Sequence, residues 1–316
     1  MDDNLPSSLD PDSAQDPKSG FYPIHQAAKS GAGSTKELRR LIEKGVEIDV
    51  QTPWGRTALL TSCLGGEPKK AEMLVEAGAN INVADKDGNT PLHAAICGSN
   101  RLVSYLIESG ADVEIKNGEE MTPLRYACYV GKQGAIEALC AAGANVKVDK
   151  FSSESLIFHV LDEKRGAATT LGKIIKTLIK FGASTNFPHP TTGDTELHLA
   201  ARLTDFDYIA WGGRFVGVLK QLINSGVDPW GRNYEGISSI ETMHPDAHQE
   251  LKQPFKKFLK GREKDVLLRL ETVSELKCFY FNQNKYSRDD IYESLRDGTP
   301  AKSEFESALE LPLIDG

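Results

Sequence analysis

The feature that most constrains this chain is a short segment that returns in register along it. Thr90-Pro91-Leu92-His93-Ala94-Ala95 opens one unit, and Thr122-Pro123-Leu124-Arg125-Tyr126-Ala127 opens the next. Thr57-Ala58-Leu59-Leu60 precedes them and Thr195-Glu196-Leu197-His198 follows. Weaker copies start at Tyr22, Ser155 and Ser238, so successive anchors lie 35, 33, 32, 33, 40 and 43 residues apart. A second marker runs in phase with the first. Each unit ends in an apolar helical pattern closed by Gly45, Gly78, Gly110, Gly143, Gly182 or Gly226, 12 residues before the next anchor and 13 before Thr195. Glycine just past a helix is the usual left-handed cap, since only glycine takes that conformation without a Cβ penalty. A period of this length means supersecondary units that bury their apolar faces only by stacking on one another.

Each unit reads as two helices. Thr before the first satisfies an orphan N–H, and Pro at its first position loses nothing by lacking its own. The second helix carries apolar residues at i, i+3, i+4 spacing, as in Leu102, Val103, Leu106 and Ile107, or Val218, Leu219, Leu222 and Ile223. With the hairpin segment Gly78-Ala-Asn-Ile-Asn82-Val-Ala-Asp85-Lys-Asp-Gly88, this pattern resembles the ankyrin-repeat family over about residues 21–261. The resemblance implies an all-α solenoid of helix-turn-helix units joined by short β-hairpins, with six clear repeats and a degenerate seventh. It departs from the family pattern in places. Arg125 and Phe158 replace the motif histidine in repeats four and five. Repeat five carries about seven extra residues around 162–172 and repeat six about eight around 204–213, while Pro254 falls inside the second helix expected for repeat seven.

Two flanks lie outside the array. Residues 1–20, with five Asp and almost nothing apolar, read as a disordered acidic arm. Residues 262–316 hold enough apolar content to pack on the last repeat and resemble no recognised family.

Composition narrows the function. Lys+Arg 37 against Asp+Glu 45 gives a net charge of −8, which argues against a chain built to neutralise nucleic-acid phosphates. With 40 % apolar and 26 % charged residues the chain can bury a core. No apolar run approaches the roughly 20 residues that cross a bilayer, and the first residues lack a signal-peptide pattern. Cys63, Cys97, Cys128, Cys140 and Cys278 form no C-x-x-C pair and read as reduced thiols. Cytoplasm or nucleus is the expected compartment, and a monomer the expected free state.

Nothing in the sequence assembles a nucleophile, a base and an oxyanion donor, and no glycine-rich phosphate loop opens a helix. His25, His93 and His198 hold the motif position, where the resemblance implies hydrogen bonds that hold the hairpin. His244 and His248 have metal-ligand spacing, but Pro245 stands where a zincin glutamate would be and is better read as a helix start. The lysines between 252 and 264 read as the solvated face of a capping helix. No catalytic residue, metal or cofactor is expected.

The resemblance implies that a partner protein is gripped by the concave face, built from hairpin tips and first helices. The tips carry Trp54, Arg56, Lys86, Asp87, Asn89, Met121, Phe151 and Tyr234, with Tyr129 at the end of a first helix. Trp, Tyr and Arg dominate binding energy at interfaces. A second candidate is the insertion with Phe206, Tyr208 and Trp211, expected as a loop. The expectation is a non-catalytic scaffold or adaptor binding a protein on the face from Trp54 to Tyr234. One alternative has the C-terminal extension dock onto larger machinery, such as a ubiquitin ligase, while the repeats hold a client. Another is a metal-dependent or accessory enzyme subunit around His244 and His248. The resemblance also marks Asn82 as a position that asparaginyl hydroxylases modify in some ankyrin proteins.

Overall fold

The computed structural model describes residues 12, 14–29, 31, 35–147, 155–162, 168–211, 216–243 and 251. The chain divides into two compact units, 1–145 and 146–316. Among the described residues it is helical with no sheet; one isolated antiparallel bridge joins Arg232 and Ser238.

The described residues of the first unit form eight helices: α1 (Pro23–Ala28), α2 (Thr35–Glu43), α3 (Ala58–Leu64), α4 (Pro68–Glu76), α5 (Pro91–Gly98), α6 (Asn100–Glu108), α7 (Pro123–Val130) and α8 (Gln133–Ala141). They pair as α1–α2, α3–α4, α5–α6 and α7–α8. The first helices stack as α1–α3–α5–α7 and the second as α2–α4–α6–α8. The core lies between the two rows, with Leu38, Leu41, Leu59, Leu60, Leu74, Leu92, Leu102 and Leu106 at 0–1 % exposure. Each such side chain contributes about 1.5–3 kcal/mol of burial. The second unit holds α9 (Leu156–Asp162), α10 (Ala168–Lys180), α11 (Glu196–Trp211) and α12 (Val216–Asn224), paired α9–α10 and α11–α12 and stacked α9–α11 and α10–α12.

The caps are those expected from the sequence. The hydroxyls of Thr57, Thr90 and Thr122 accept from the amides of Leu60, His93 and Arg125 at 3.2, 3.5 and 3.3 Å. At the other end Gly78 sits at φ 91°. Its amide donates to the Val75 carbonyl and that of Ala79 to Leu74, the paired bonds that close a helix through a left-handed residue.

The two long repeats carry longer helices, and in repeat six this departs from the expectation. The second helix of repeat five has 13 residues where α4, α6 and α8 have nine. The first helix of repeat six has 16 where α5 and α7 have eight. The stretch expected as a loop from 204 is therefore helical as far as Trp211, a continuation of the α11 backbone rather than an excursion from it.

The acidic segment ahead of α1 is built in part. Asp16 and Phe21 close a turn, with the Asp16 amide donating to the Phe21 carbonyl at 2.9 Å and the Asp16 carboxylate accepting from the Lys18 amide at 3.1 Å. This is the hairpin tip of repeat one, one residue longer than that of 85–89, and it lies inside the stretch read above as an arm. Asp12 accepts two bonds from Arg40 at 2.8 and 2.9 Å and another from Lys44; these hold its carboxyl well below the usual carboxylate range.

Candidate functional site

The hairpin tips are fixed by a recurring side-chain device. Asp85 Oδ1 accepts from the amides of Asp87 and Asn89 at 3.1 and 2.9 Å, and Asn117 Oδ1 from those of Glu119 and Met121, both at 3.0 Å. In the second unit Asn233 Oδ1 does the same for Glu235 and Ile237 at 3.1 and 3.0 Å. Short polar side chains that bond their own backbone two residues on favour tight turns. Adjacent tips are then tied to each other. The Lys86 amide donates to the Trp54 carbonyl at 3.0 Å, the Gly118 amide to Asp87 at 2.7 Å and the Tyr234 amide to Thr192 at 2.9 Å. Gly88 makes this approach possible: a Cβ there would lie 2.6 Å from the Gly118 nitrogen.

The motif histidines tie their first helices to the hairpin of the following repeat. His93 Nδ1 accepts from the Thr90 amide at 3.3 Å, so Nε2 carries the proton and donates to the Met121 carbonyl at 3.1 Å. His25 bonds the Arg56 carbonyl at 2.8 Å, and His198 bonds that of Ile237 at 3.0 Å. Burial holds all three imidazoles below their ordinary pKa, which favours the neutral form that these bonds use.

On this frame the expected contact residues separate. Trp54 is 50 % exposed, with one flank against Phe21 at a centroid distance of 5.9 Å. Tyr234 is 69 % exposed. Lys86 and Asp87 are exposed. Arg56 and Asn89 are half-buried and engaged, Arg56 with Asp85 at 3.7 Å and Asn89 Oδ1 with Asn117 Nδ2 at 3.0 Å. Met121, expected as a contact residue, is 8 % exposed, and its carbonyl accepts from His93 of the preceding repeat. Phe151 lies outside the described residues, as do His244 and His248. Phe206, Tyr208 and Trp211 have helical backbone in α11; their side chains are outside the described set.

Sequence reasoning singled out Tyr129 but missed the row on the first helices to which it belongs. The residue seven past each anchor is Leu64, Cys97 and Tyr129 in repeats two to four. Leu64 is 49 % exposed, Cys97 is exposed and Tyr129 half-buried. Tyr126, four past its anchor, joins them: its hydroxyl is 3.3 Å from Cys97 Sγ, and its ring is stacked with Tyr129 at 6.4 Å and 21°. The register of the anchors was the signal that could have found the row. Among the described residues no group of three or more His, Cys, Asp and Glu could hold a metal ion, and no helix is long and apolar enough to cross a membrane.

The sequence profile of the family described as ankyrin repeats (3 copies) matches residues 5–85, 24–117 and 81–150. The chain is 39 % identical over 79 residues to the Notch-regulated ankyrin repeat-containing protein of Xenopus tropicalis, covering 23 % of this chain and 69 % of that one. It is 34 % identical over 80 residues to mouse inactive serine/threonine-protein kinase TEX14, and 41 % over 91 residues to alpha-latrotoxin-Lt1a of Latrodectus tredecimguttatus. These cover 25 % and 28 % of this chain, but it spans only 5 % and 6 % of those proteins' lengths. Among solved structures, the human ASB11 ankyrin repeat domain matches with a TM-score of 0.56 at 26 % identity, over 80 % of this chain and 99 % of that domain. The ankyrin repeat domain of Bcl-3 matches in fold with a TM-score of 0.59 at 23 % identity, over 72 % of this chain and 96 % of its own. The chain belongs to the ankyrin-repeat family. Ankyrin repeats generally mediate protein–protein interaction, and the fold is generally not enzymatic.

Proposed function

We propose that this chain is a non-catalytic protein-binding scaffold, and that its first unit grips a partner with the hairpin tips and the exposed row of its first helices. The observation that carries the reading is Trp54, a large aromatic ring left 50 % exposed on a tip whose carbonyl is bonded to the next tip. Exposed aromatics on a backbone fixed before binding meet a partner at low entropic cost, and aromatic anchors supply most of the energy in such contacts. Leu64 extends the apolar surface, while Lys86 and Asp87 supply a charged rim. Tyr234 presents the same kind of exposed ring on a tip of the second unit.

The test is co-precipitation from cell extract with the whole chain and with its Trp54→Ala, Leu64→Asp and Tyr234→Ala variants. A discrete protein retained by the parent and lost with the first two variants supports the reading. Retention unchanged by all three overturns it.

A further inference from the structure

The side chains around Tyr126 say more about what such a partner must carry. In repeats two and three the position four past the anchor holds Thr61 and Ala94, both small and buried. In repeat four it holds Tyr126, half-buried, with a near-parallel neighbour in Tyr129. Cys97 engages the Tyr126 hydroxyl and His93 lies against its ring at a centroid distance of 5.9 Å, so what the tyrosine pair offers beyond packing is the ring faces that these contacts leave. Those faces are electron-rich. The hairpin tip that leads into α7 presents the exposed Glu119, whose backbone amide donates to Asn117 Oδ1; the Tyr126 hydroxyl is pushed up chiefly by its bond to Cys97 and by burial, with the Glu119 charge among the smaller causes. The exposed Asp87 and Glu120 lie on the same two tips; Lys116 is 3.5 Å from Glu120, and Lys86 adjoins Asp87.

An aromatic pair flanked by a carboxylate is complementary to one chemical group, a cation on a long apolar stem. An arginine guanidinium suits it better than a lysine ammonium, because it is planar, stacks on aromatic faces and is more weakly hydrated. We propose that Tyr126, Tyr129 and Glu119 form a receiving site for one arginine side chain of an extended partner segment, with Leu64 and Cys97 taking an apolar neighbour of that arginine. The proposal rests on the first unit being a protein-binding surface, and it names the chemistry of the bound segment.

Displayed random 12-residue peptides are selected on the full chain, and the best binder, fluorescein-labelled, is titrated by anisotropy. The expected binder contains arginine. Replacing that arginine with citrulline, its neutral isostere, weakens binding about ten-fold, and Tyr126→Leu, Tyr129→Leu and Glu119→Gln each weaken it about five- to thirty-fold. Tyr126→Phe, which keeps the ring, retains binding. If the tyrosine variants fail to fold by circular dichroism, Glu119→Gln and the citrulline peptide decide alone, since neither disturbs packing. Binding that is lost with Trp54→Ala or Leu64→Asp but indifferent to citrulline and Glu119→Gln overturns the arginine site while leaving the binding surface standing. Indifference to both sets of variants overturns both.

Discussion

The Asp112 amide donates to Asn82 Oδ1 at 2.9 Å, joining the loop of one repeat to that of the next. The same bond recurs one repeat earlier and one later: the Asn80 amide bonds the Asp49 carboxylate at 3.0 Å, and the Asn145 amide bonds Glu114 at 2.7 Å. In each case the residue four past the capping glycine accepts from the residue two past the following one. The array is thus laced on its loop side as well as at its tips.

Asn82→Ala removes one such lace and is expected to cost about 1 kcal/mol, while Asn82→Asp, which keeps the acceptor, costs less. Urea unfolding of the two variants measures the difference. Equal losses would mean that the side chain acts through something other than this bond.

The buried histidines make the fold acid-sensitive. The folded pKa of His25, His93 and His198 lies below the ordinary 6.5, so below pH 6.5 the unfolded chain binds more protons than the folded one. Stability contributed by these groups is complete above pH 6.5 and is lost as pH falls toward their folded values, by at most about 1.4 kcal/mol per pH unit for each histidine. In the second unit Glu196, bonded to Ser155 and pushed up by burial, works in the opposite sense. Imidazole proton resonances followed from pH 7.5 to 5.5 check the assignment: the three should stay neutral below pH 6.5.

Gly78 and Gly88 share a positive φ but differ in surroundings. Gly78 has nothing within 4 Å of a built Cβ, so Gly78→Ala should cost only the left-handed penalty of about 1–2 kcal/mol. Gly88→Ala adds a backbone collision with Gly118 and should cost distinctly more. Paired thermal melts measure the order, and the reverse order would contradict the tip geometry.

Thiol reactivity should separate by position. Cys97 is exposed. Burial pushes Cys63 up to about 12 and Cys140 up to about 11, and Cys128 is buried. Brief iodoacetamide labelling of native protein, mapped by peptide mass, should modify Cys97 and leave Cys63, Cys128 and Cys140 intact, since the thiolate is the reactive species.

The repeat frame was legible because it is written in local chemistry. Thr57, Thr90 and Thr122 announce helix starts, Gly45 and Gly78 announce stops, and His93 was correctly assigned a structural role. What escaped the sequence depends on neighbours in space. Met121 is apolar on a tip and reads as a contact residue, yet it is 8 % exposed, whereas Ile237 at the same register is 37 % exposed. Lys70, charged and therefore expected outside, is 4 % exposed, where its ammonium bonds the Lys29 carbonyl at 2.8 Å past the end of α1. The insertion in repeat six continues a helix because nothing before Gly212 breaks one. Tyr126 escaped because it replaces a small buried residue, and only the register against Thr61 and Ala94 marks it as unusual.

The most direct test of the binding surface places a photo-crosslinking amino acid at position 86 on a hairpin tip, at position 97 or at position 76 on the second helix of repeat two, in the otherwise unchanged chain. Illumination in cell extract should yield one discrete heavier species from positions 86 and 97 and none from 76. The same species from 76, or adducts from 76 alone, would contradict the assignment of binding to the tips and first helices.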